Sequence, residues 1–265
     1  MTAYAGERGP AHMEERLMIV AVAGGTGLVG AKVLQQLSSR GVDARCISRS
    51  SGVDLQSGAG LARTLSGVAV VIDVTNIETS SGKKACAFFR AEAENLQRES
   101  SATGVQRVIT LSIVGVDRVP LGYYKGKLLQ ESVTQQGVVP STIVRSTQFH
   151  EFANQMLRRL RYGPIALIPR MRLQPCAADE VASVLIDTAL DEATVSTRLL
   201  EFAGPKPENL IDMTRRYAEA QPGQPRMIEM RLPGAGGTAI ATGALLPSGD
   251  VRLGRQSFDE WLASQ

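Results

Sequence analysis

The sequence predicts an α/β fold organised as a doubly wound parallel sheet. Three observations carry that expectation. The apolar run Leu17–Ala23 leads into a turn with three glycines spaced three apart, and a helical repeat follows at once. Short apolar runs then alternate with longer amphipathic stretches as far as Leu160. The connections between them are short. Parallel neighbours need crossover helices, so alternation of this kind argues for a parallel sheet.

The elements follow in order. Leu17–Ala23 is uniformly apolar, as a strand buried on both faces requires. A helix over Leu28–Leu37 follows, then strand Val42–Ile47, a short helix at Leu61–Leu65 and strand Val68–Val74. A long helix over Lys83–Ala102 stops near Gly104. Strand Arg107–Leu111 leads to a helix over Leu121–Gln136, closed by Gly137 as a C-terminal glycine. Strand Thr142–Val144 and a helix over Glu151–Leu160 complete the regular part. Right-handed crossovers would bring the carboxyl ends of all these strands to one edge, where ligands bind.

Beyond Gly163 the pattern is mixed. Ile165–Ile168 reads as a short strand, and Asp179–Leu190 as a helix with Asp179 at its N-cap. Glu208–Ala220 reads as a further helix, and Pro233–Gly249, rich in Gly, Ala and Pro, as loop. With no repeat and no linker, residues 17–265 are expected to form one domain. Its part from about 163 would cap the sheet and shape a substrate pocket. The stretch 1–16 is polar, lacks the apolar core of a signal peptide, and is expected to be a flexible tail.

Composition narrows the classes. A chain of 265 residues with 43% apolar and 21% charged residues can bury a core without disulfide or metal staples. The net charge of +3 is too mild to indicate nucleic acid, although it suits a phosphate-bearing ligand. Cys46, Cys86 and Cys176 form no CxxC pair, which fits a reducing, cytoplasmic setting without a zinc site. Only two histidines occur, which excludes a histidine-rich metal cluster. No apolar run is long enough to cross a membrane.

The strongest motif is the turn Gly24-Gly25-Thr26-Gly27-Leu28-Val29-Gly30, a GxxGxxG directly between a strand and a helix. Gly24 permits the tight turn, Gly27 lets backbone approach a pyrophosphate, and Gly30 lets the helix pack closely. Helix amides and the macrodipole then hold the negative charge. This is the Rossmann-type signature, and it predicts NAD or NADP as cofactor. The second strand ends in Ile47-Ser48-Arg49-Ser50, with no acid to grip a ribose 2′-hydroxyl. Arg49, beside Ser50, can pair with a 2′-phosphate, so NADP is expected in preference to NAD.

From Met18 to Leu190 the chain resembles the atypical short-chain dehydrogenase/reductase superfamily, in its NmrA-like group. The resemblance rests on VAGGTGLVG at Val22–Gly30, VIDVTN at Val71–Asn76, LSIVGV at Leu111–Val116, YYKGK at Tyr123–Lys127 and IVRSTQF at Ile143–Phe149. It implies an NAD(P)-binding sheet and a variable C-terminal substrate region. It also implies that Asp54 and Leu55 lie near adenine, and that Val74, Thr75 and Asn76 follow the adenosine half of the cofactor. Ser146, Thr147, Gln148 and Phe149 would lie under the nicotinamide. Asn95 matches a helix asparagine of many relatives and reads equally well as a satisfied core residue.

Ser112, at the end of the fourth strand, and the YxxxK pair Tyr123 and Lys127 are the candidate catalytic set. A spacing of four puts Tyr123 and Lys127 on one helical face. Carbonyl reduction needs a proton as hydride arrives. Tyrosine ionises near 10, and an adjacent lysine cation would lower that value. Lys127 can also bond the nicotinamide ribose, and the Ser112 hydroxyl can orient a substrate carbonyl. Tyr124 is a second tyrosine for the pocket wall. His150 is a candidate substrate contact, set against a structural role at a strand–helix junction. Arg158, Arg159 and Arg161, with Tyr162, read as a solvated helix end.

The leading expectation is an NADPH-dependent reductase of a carbonyl or quinone on a small organic molecule. The alternatives are a dinucleotide-sensing regulator without turnover, and an isomerase or epimerase that recycles its cofactor.

Overall fold

The structure, a computed structural model, describes residues 18–191, 198–219 and 224–265. The expected tail at 1–16, Leu17 and Ala220 lie outside the described residues. The chain begins with β1 (Val20–Ala23), α1 (Leu28–Ser39), β2 (Ala44–Ile47), α2 (Leu61–Leu65), β3 (Val70–Asp73) and α3 (Gly82–Thr103). It continues through β4 (Arg107–Ile113), α4 (Gly122–Gln136), β5 (Ser141–Ser146), α5 (Phe152–Arg159), β6 (Arg161–Tyr162), β7 (Ile165–Pro169) and β8 (Arg172–Leu173). Then come α6 (Ala178–Leu190), β9 (Arg198–Ala203), β10 (Glu208–Asn209), α7 (Leu210–Glu219), β11 (Arg226–Met230), α8 (Gly234–Ala241), β12 (Arg252–Leu253) and α9 (Phe258–Ala263).

Seven strands form one parallel sheet in the order β2-β1-β3-β4-β5-β9-β12. This is the α/β, Rossmann-type architecture expected. β2 lies on one side of β1 and β3 on the other, so the chain reverses its direction of travel across the sheet at β1. A crevice opens beyond the carboxyl ends of β1 and β3, and the glycine turn lies there.

Strand alternation divides the core. Val20 and Val22 of β1 face Val33, Leu37 and the α6 residues Val181, Leu185 and Ile186. Ala21 and Ala23 face the other layer, with Leu61, Leu65 and Leu96. Each side chain therefore takes the face that a period of two dictates. α1 and α6 cover one face, while α2, α3 and α4 cover the other. A third cluster, around Ile168, Leu173, Leu210, Met213, Phe258 and Trp261, joins the C-terminal elements. β6, β7 and β11 form a small separate sheet.

Several expectations need correction. Pro233–Gly249 is not all loop, because α8 occupies Gly234–Ala241. Its glycines serve close packing: a Cβ on Gly236 would lie 2.4 Å from Leu121 Cδ2, and one on Gly237 would lie 2.0 Å from Leu232 O. Asp179 is not the N-cap of α6. Ala177 holds that place, and Asp179 sits in the first turn, paired with Lys32 at 2.6 Å. Glu208 belongs to β10, and α7 starts at Leu210. Gly137 does close α4, but with extended backbone (φ −68°). What requires a glycine there is space, since a Cβ would fall 2.2 Å from Gln97 Oε1. Two C-terminal strands, β9 and β12, extend the main sheet itself. Among the described residues no helix is long and apolar enough to cross a membrane.

Candidate functional site

The glycine turn is built by backbone contacts. Gly24 has φ +78°, a conformation that side chains disfavour. A Cβ there would also lie 3.0 Å from Val74 O and 3.1 Å from Thr75 N. Gly24 N donates to Ile47 O (3.0 Å), and Gly27 N to Gly24 O (2.9 Å), which closes the turn. A Cβ on Gly30 would fall 2.2 Å from Gly24 O and 2.7 Å from Gly25 Cα. Gly30 thus clears the turn itself rather than the sheet. Gly27 differs: a Cβ there meets only Gly24 O, at 3.3 Å, and otherwise open space. Thr26, Gly27 and Leu28 are exposed, while Val29 and Gly30 are buried. Val29 therefore has only its backbone to offer. No side chain caps α1, so its first-turn amides face outward uncapped. This cradle fits a pyrophosphate.

The outer end of the crevice is formed after β2. Ser48 and Ser51 cap each other's backbone, Ser51 N to Ser48 Oγ at 3.2 Å and Ser48 N to Ser51 Oγ at 2.9 Å. This holds Arg49 and Ser50 outward, both exposed. The reciprocal cap went unread in the sequence, although its S-x-x-S spacing is a signal. Asp54 accepts from Gln56 N (3.0 Å) and Ser57 Oγ (2.8 Å). The Ser57 hydroxyl, then the Gln56 amide, hold its carboxyl below the usual range, with help from the Arg49 charge. Asn95 Nδ2 donates to Leu55 O (2.8 Å) and Gln56 O (2.9 Å). Asn95 is thus a satisfied residue that staples the Asp54–Leu55 loop to α3.

The middle of the site is where β3 and β4 end. Val74 N donates to Ala23 O, and Thr75 is tied to Asp73 through both its amide and its hydroxyl. Asn76 Oδ1 accepts from Tyr123 Oη at 2.8 Å. The resemblance put Asn76 along the adenosine half, and the structure joins it to the tyrosine. Ser112 lies one residue before the end of β4, only 2% exposed, and its hydroxyl has no partner among the described residues. Strand alternation puts it on the α4 side of the sheet, because Leu111 faces α1 and α6.

Tyr123 and Lys127 do not form the expected electrostatic pair. Lys127 Nζ is buried and donates to Leu111 O (2.7 Å) and Gln130 Oε1 (2.5 Å), 4.8 Å from the Phe89 ring centroid. Burial pushes the Tyr123 phenol up to about 12, opposite to the lowering expected from Lys127. Desolvation favours the neutral phenol, and the ammonium is spent on other acceptors. Tyr124 packs against the C-terminal cluster, its ring edge-on to that of Tyr123 at 5.6 Å, and burial raises its phenol as well.

Past β5, Thr147 Oγ1 donates to Gln174 O (2.6 Å), and Cys176 N donates to Gln148 O (2.9 Å). Phe149 pairs with Cys176 in a parallel bridge. Ser146 and Thr147 are buried, and Gln148 Oε1 is buried without a partner. His150 is fully buried against the stacked rings of Phe258 and Trp261, its Nε2 at 3.1 Å from Gln256 O. Burial lowers its pKa to about 4, so the ring is neutral at physiological pH. The structure gives it a packing environment, not an open surface. Among the described residues no group of His, Cys, Asp and Glu is arranged to hold a metal ion.

These features belong to a Rossmann-type α/β fold, one that the chain shares with solved structures of short-chain dehydrogenase/reductase proteins. The likeness is to solved structures of low sequence identity. MoeE5 in complex with UDP-glucose and NAD superposes with a TM-score of 0.71 at 16% identity, over 93% of this chain and 96% of that one. A short-chain dehydrogenase/reductase superfamily protein from Agrobacterium tumefaciens with bound NAD gives 0.65 at 17% identity, over 93% and 95%. The NADPH-dependent quinone oxidoreductase QOR2 from Escherichia coli gives 0.63 at 15% identity, over 92% and 98%. No protein-family model and no curated protein matches the chain.

Proposed function

We propose that this chain is an NAD(P)-dependent oxidoreductase, an atypical short-chain dehydrogenase/reductase of the NmrA-like kind. It would transfer hydride to a carbonyl or quinone of a small organic substrate. The observation that carries this reading is the glycine cradle: Gly24 at φ +78°, uncapped first-turn amides on α1 and open space over Gly27. It lies at the switch point of the sheet, where dinucleotides bind in such folds. The bound dinucleotides of similarly folded proteins support the cofactor class.

In this reading Thr26, Gly27, Leu28 and Val29 hold the pyrophosphate through backbone amides. The loop at Asp54–Leu55 receives the adenine end. Arg49 and Ser50 bind a 2′-phosphate, so NADP is preferred over NAD. Val74, Thr75, Asn76 and Ser146–Phe149 line the path to the nicotinamide. The dinucleotide supplies the hydride. Tyr123, neutral and bonded to Asn76, is the proton donor, and the unpartnered Ser112 hydroxyl orients the acceptor oxygen. Small-molecule chemistry in the cytoplasm needs no nucleic-acid or membrane partner.

One observation favours a quinone over a simple carbonyl. Lys127 is bonded to Leu111 O and Gln130, so Tyr123 lacks the cation that would sharpen its acidity. A reduced quinone can take its protons from solvent. The test is NADPH oxidation, followed by absorbance, over a panel of quinones and carbonyl compounds. Net consumption with a quinone supports the reading. Conversion of a substrate without net consumption favours an isomerase, and binding without any turnover favours a regulator.

A further inference from the structure

Beneath the site lies a polar cluster sealed from solvent. Asp73 is 1% exposed, Glu92 0%, Gln130 0% and Lys127 4%. The Gln130 amide is its hub. Its Nε2 donates to Asp73 Oδ2 (2.8 Å) and to Glu92 Oε2 (3.0 Å), and its Oε1 accepts from Lys127 Nζ. Thr75 Oγ1 satisfies the other Asp73 oxygen at 2.8 Å. Among the described residues Glu92 Oε1 has no hydrogen-bond partner.

The charges do not balance if every group ionises. Asp73 from β3 and Glu92 from α3 converge on one amide, with Lys127 of α4 as the cation among them. The next acid on α4, Glu131, is already paired with Arg145 of β5 at 2.7 Å. Two adjacent carboxylates sealed from water do not both ionise against a single cation, because each disfavours the other's charge.

We propose that Glu92, converging with Asp73 on the Gln130 amide, carries a buried proton at neutral pH, and that this pair, acting through Gln130, positions the Lys127 ammonium. Glu92 is then a positioning residue: it acts on Lys127 and not on substrate. Burial first, and Asp73 second, raise the Glu92 carboxyl well above its ordinary value, and the Lys127 charge opposes this only weakly. Lys127 is itself pushed down by burial and held up by Asp73, Glu92 and Glu131. The proton on Glu92 brings the charge of the cluster into balance with the Lys127 ammonium. That Lys127 bonds the nicotinamide ribose, as the sequence leads one to expect, rests on the function proposed above, whereas the buried proton does not.

The full chain, with glutamate and aspartate labelled with ¹³C at the side-chain carboxyl, tests the proton directly by NMR. One carboxyl resonance should keep a protonated shift at neutral pH and vanish in Glu92→Gln. A wild-type spectrum in which every carboxyl is ionised at neutral pH overturns the proposal, whether or not the variant folds. Stability gives an independent reading. A carboxyl whose folded pKa is raised costs stability as pH rises above its unfolded value near 4.3. Glu92→Gln should therefore melt higher than wild type by a margin that grows as pH rises above about 5. A margin that does not change with pH contradicts the buried proton. For the positioning claim, Glu92→Ala should weaken NADPH binding about as much as Lys127→Ala, roughly tenfold. Glu92→Gln should restore it, and Glu92→Ala combined with Lys127→Ala should be no worse than Lys127→Ala. Full effects that add in the double variant contradict it. If Lys127→Ala leaves binding intact while the protonated resonance is present, the functional reading fails and the buried proton stands.

Discussion

Tyr123 Oη donates a 2.8 Å hydrogen bond to Asn76 Oδ1, tying the start of α4 to the end of β3. The bond holds the phenol at the carboxyl edge of the sheet with its oxygen oriented. With a carbonyl substrate, Tyr123→Phe should lower turnover by about 10²–10⁴-fold with little change in NADPH affinity, whereas a quinone, which can take its protons from solvent, should be reduced at close to the wild-type rate. Tyr124→Phe should be mild, because Tyr124 packs in the C-terminal cluster. Steady-state kinetics of the two variants check this. Equal effects at both positions would remove Tyr123 from its role.

The Tyr123 phenol, raised to about 12 by burial, stays protonated across the neutral range. The pH dependence of kcat/KM, which reports the free enzyme, should show no basic limb from this group below about pH 11. A limb near neutrality that disappears in Tyr123→Phe would mean that Lys127 does activate the phenol.

Arg49 is exposed and faces outward on a turn fixed by Ser48 and Ser51. Arg49→Ala should weaken NADPH binding by about 10-fold or more, the loss of a charge-assisted contact, and leave NADH nearly unchanged. Isothermal titration of both nucleotides decides it. A parallel loss for both would assign Arg49 to the loop instead of the 2′-phosphate.

His150 gives a stability prediction. Its folded pKa, about 4, lies below the unfolded value near 6.5. The unfolded chain therefore binds more protons in that window, and stability falls as pH drops from about 6.5 toward about 4. The loss approaches about 3 kcal/mol. Denaturant unfolding across this range should show it, and His150→Gln should flatten the slope. A wild-type stability that is level there contradicts the neutral, buried ring.

What was legible in the sequence was local. The Gly24–Gly30 turn could be read because its requirements, a positive φ and backbone clearance, involve neighbours within a few residues. β1 could be read because burial on both faces makes it uniformly apolar. β9 escaped because Arg198 and Leu199 are exposed and Glu201 sits mid-strand, so no periodicity marks it. α8 escaped because its glycines resemble loop, while they in fact admit Leu121 and Leu232. The partners within the site are long-range. Nothing near Tyr123 announces Asn76, and YxxxK spacing does not reveal that Lys127 turns toward Gln130 and the buried acids. Local sequence could not decide whether His150 contacts substrate or is structural, because its packing against Phe258 and Trp261 is set by the last helix, far along the chain.

Calorimetric titration of NADPH into wild type and Gly27→Val tests the central claim most directly. A side chain at Gly27 would meet little of the protein beyond Gly24 O at 3.3 Å, so the variant should fold. It would, however, fill the space over the first turn of α1. The account predicts saturable one-site binding to wild type, and its loss in a Gly27→Val protein that keeps the wild-type circular dichroism spectrum and melting temperature. Absence of binding to wild type, or equal binding to the folded variant, would contradict it.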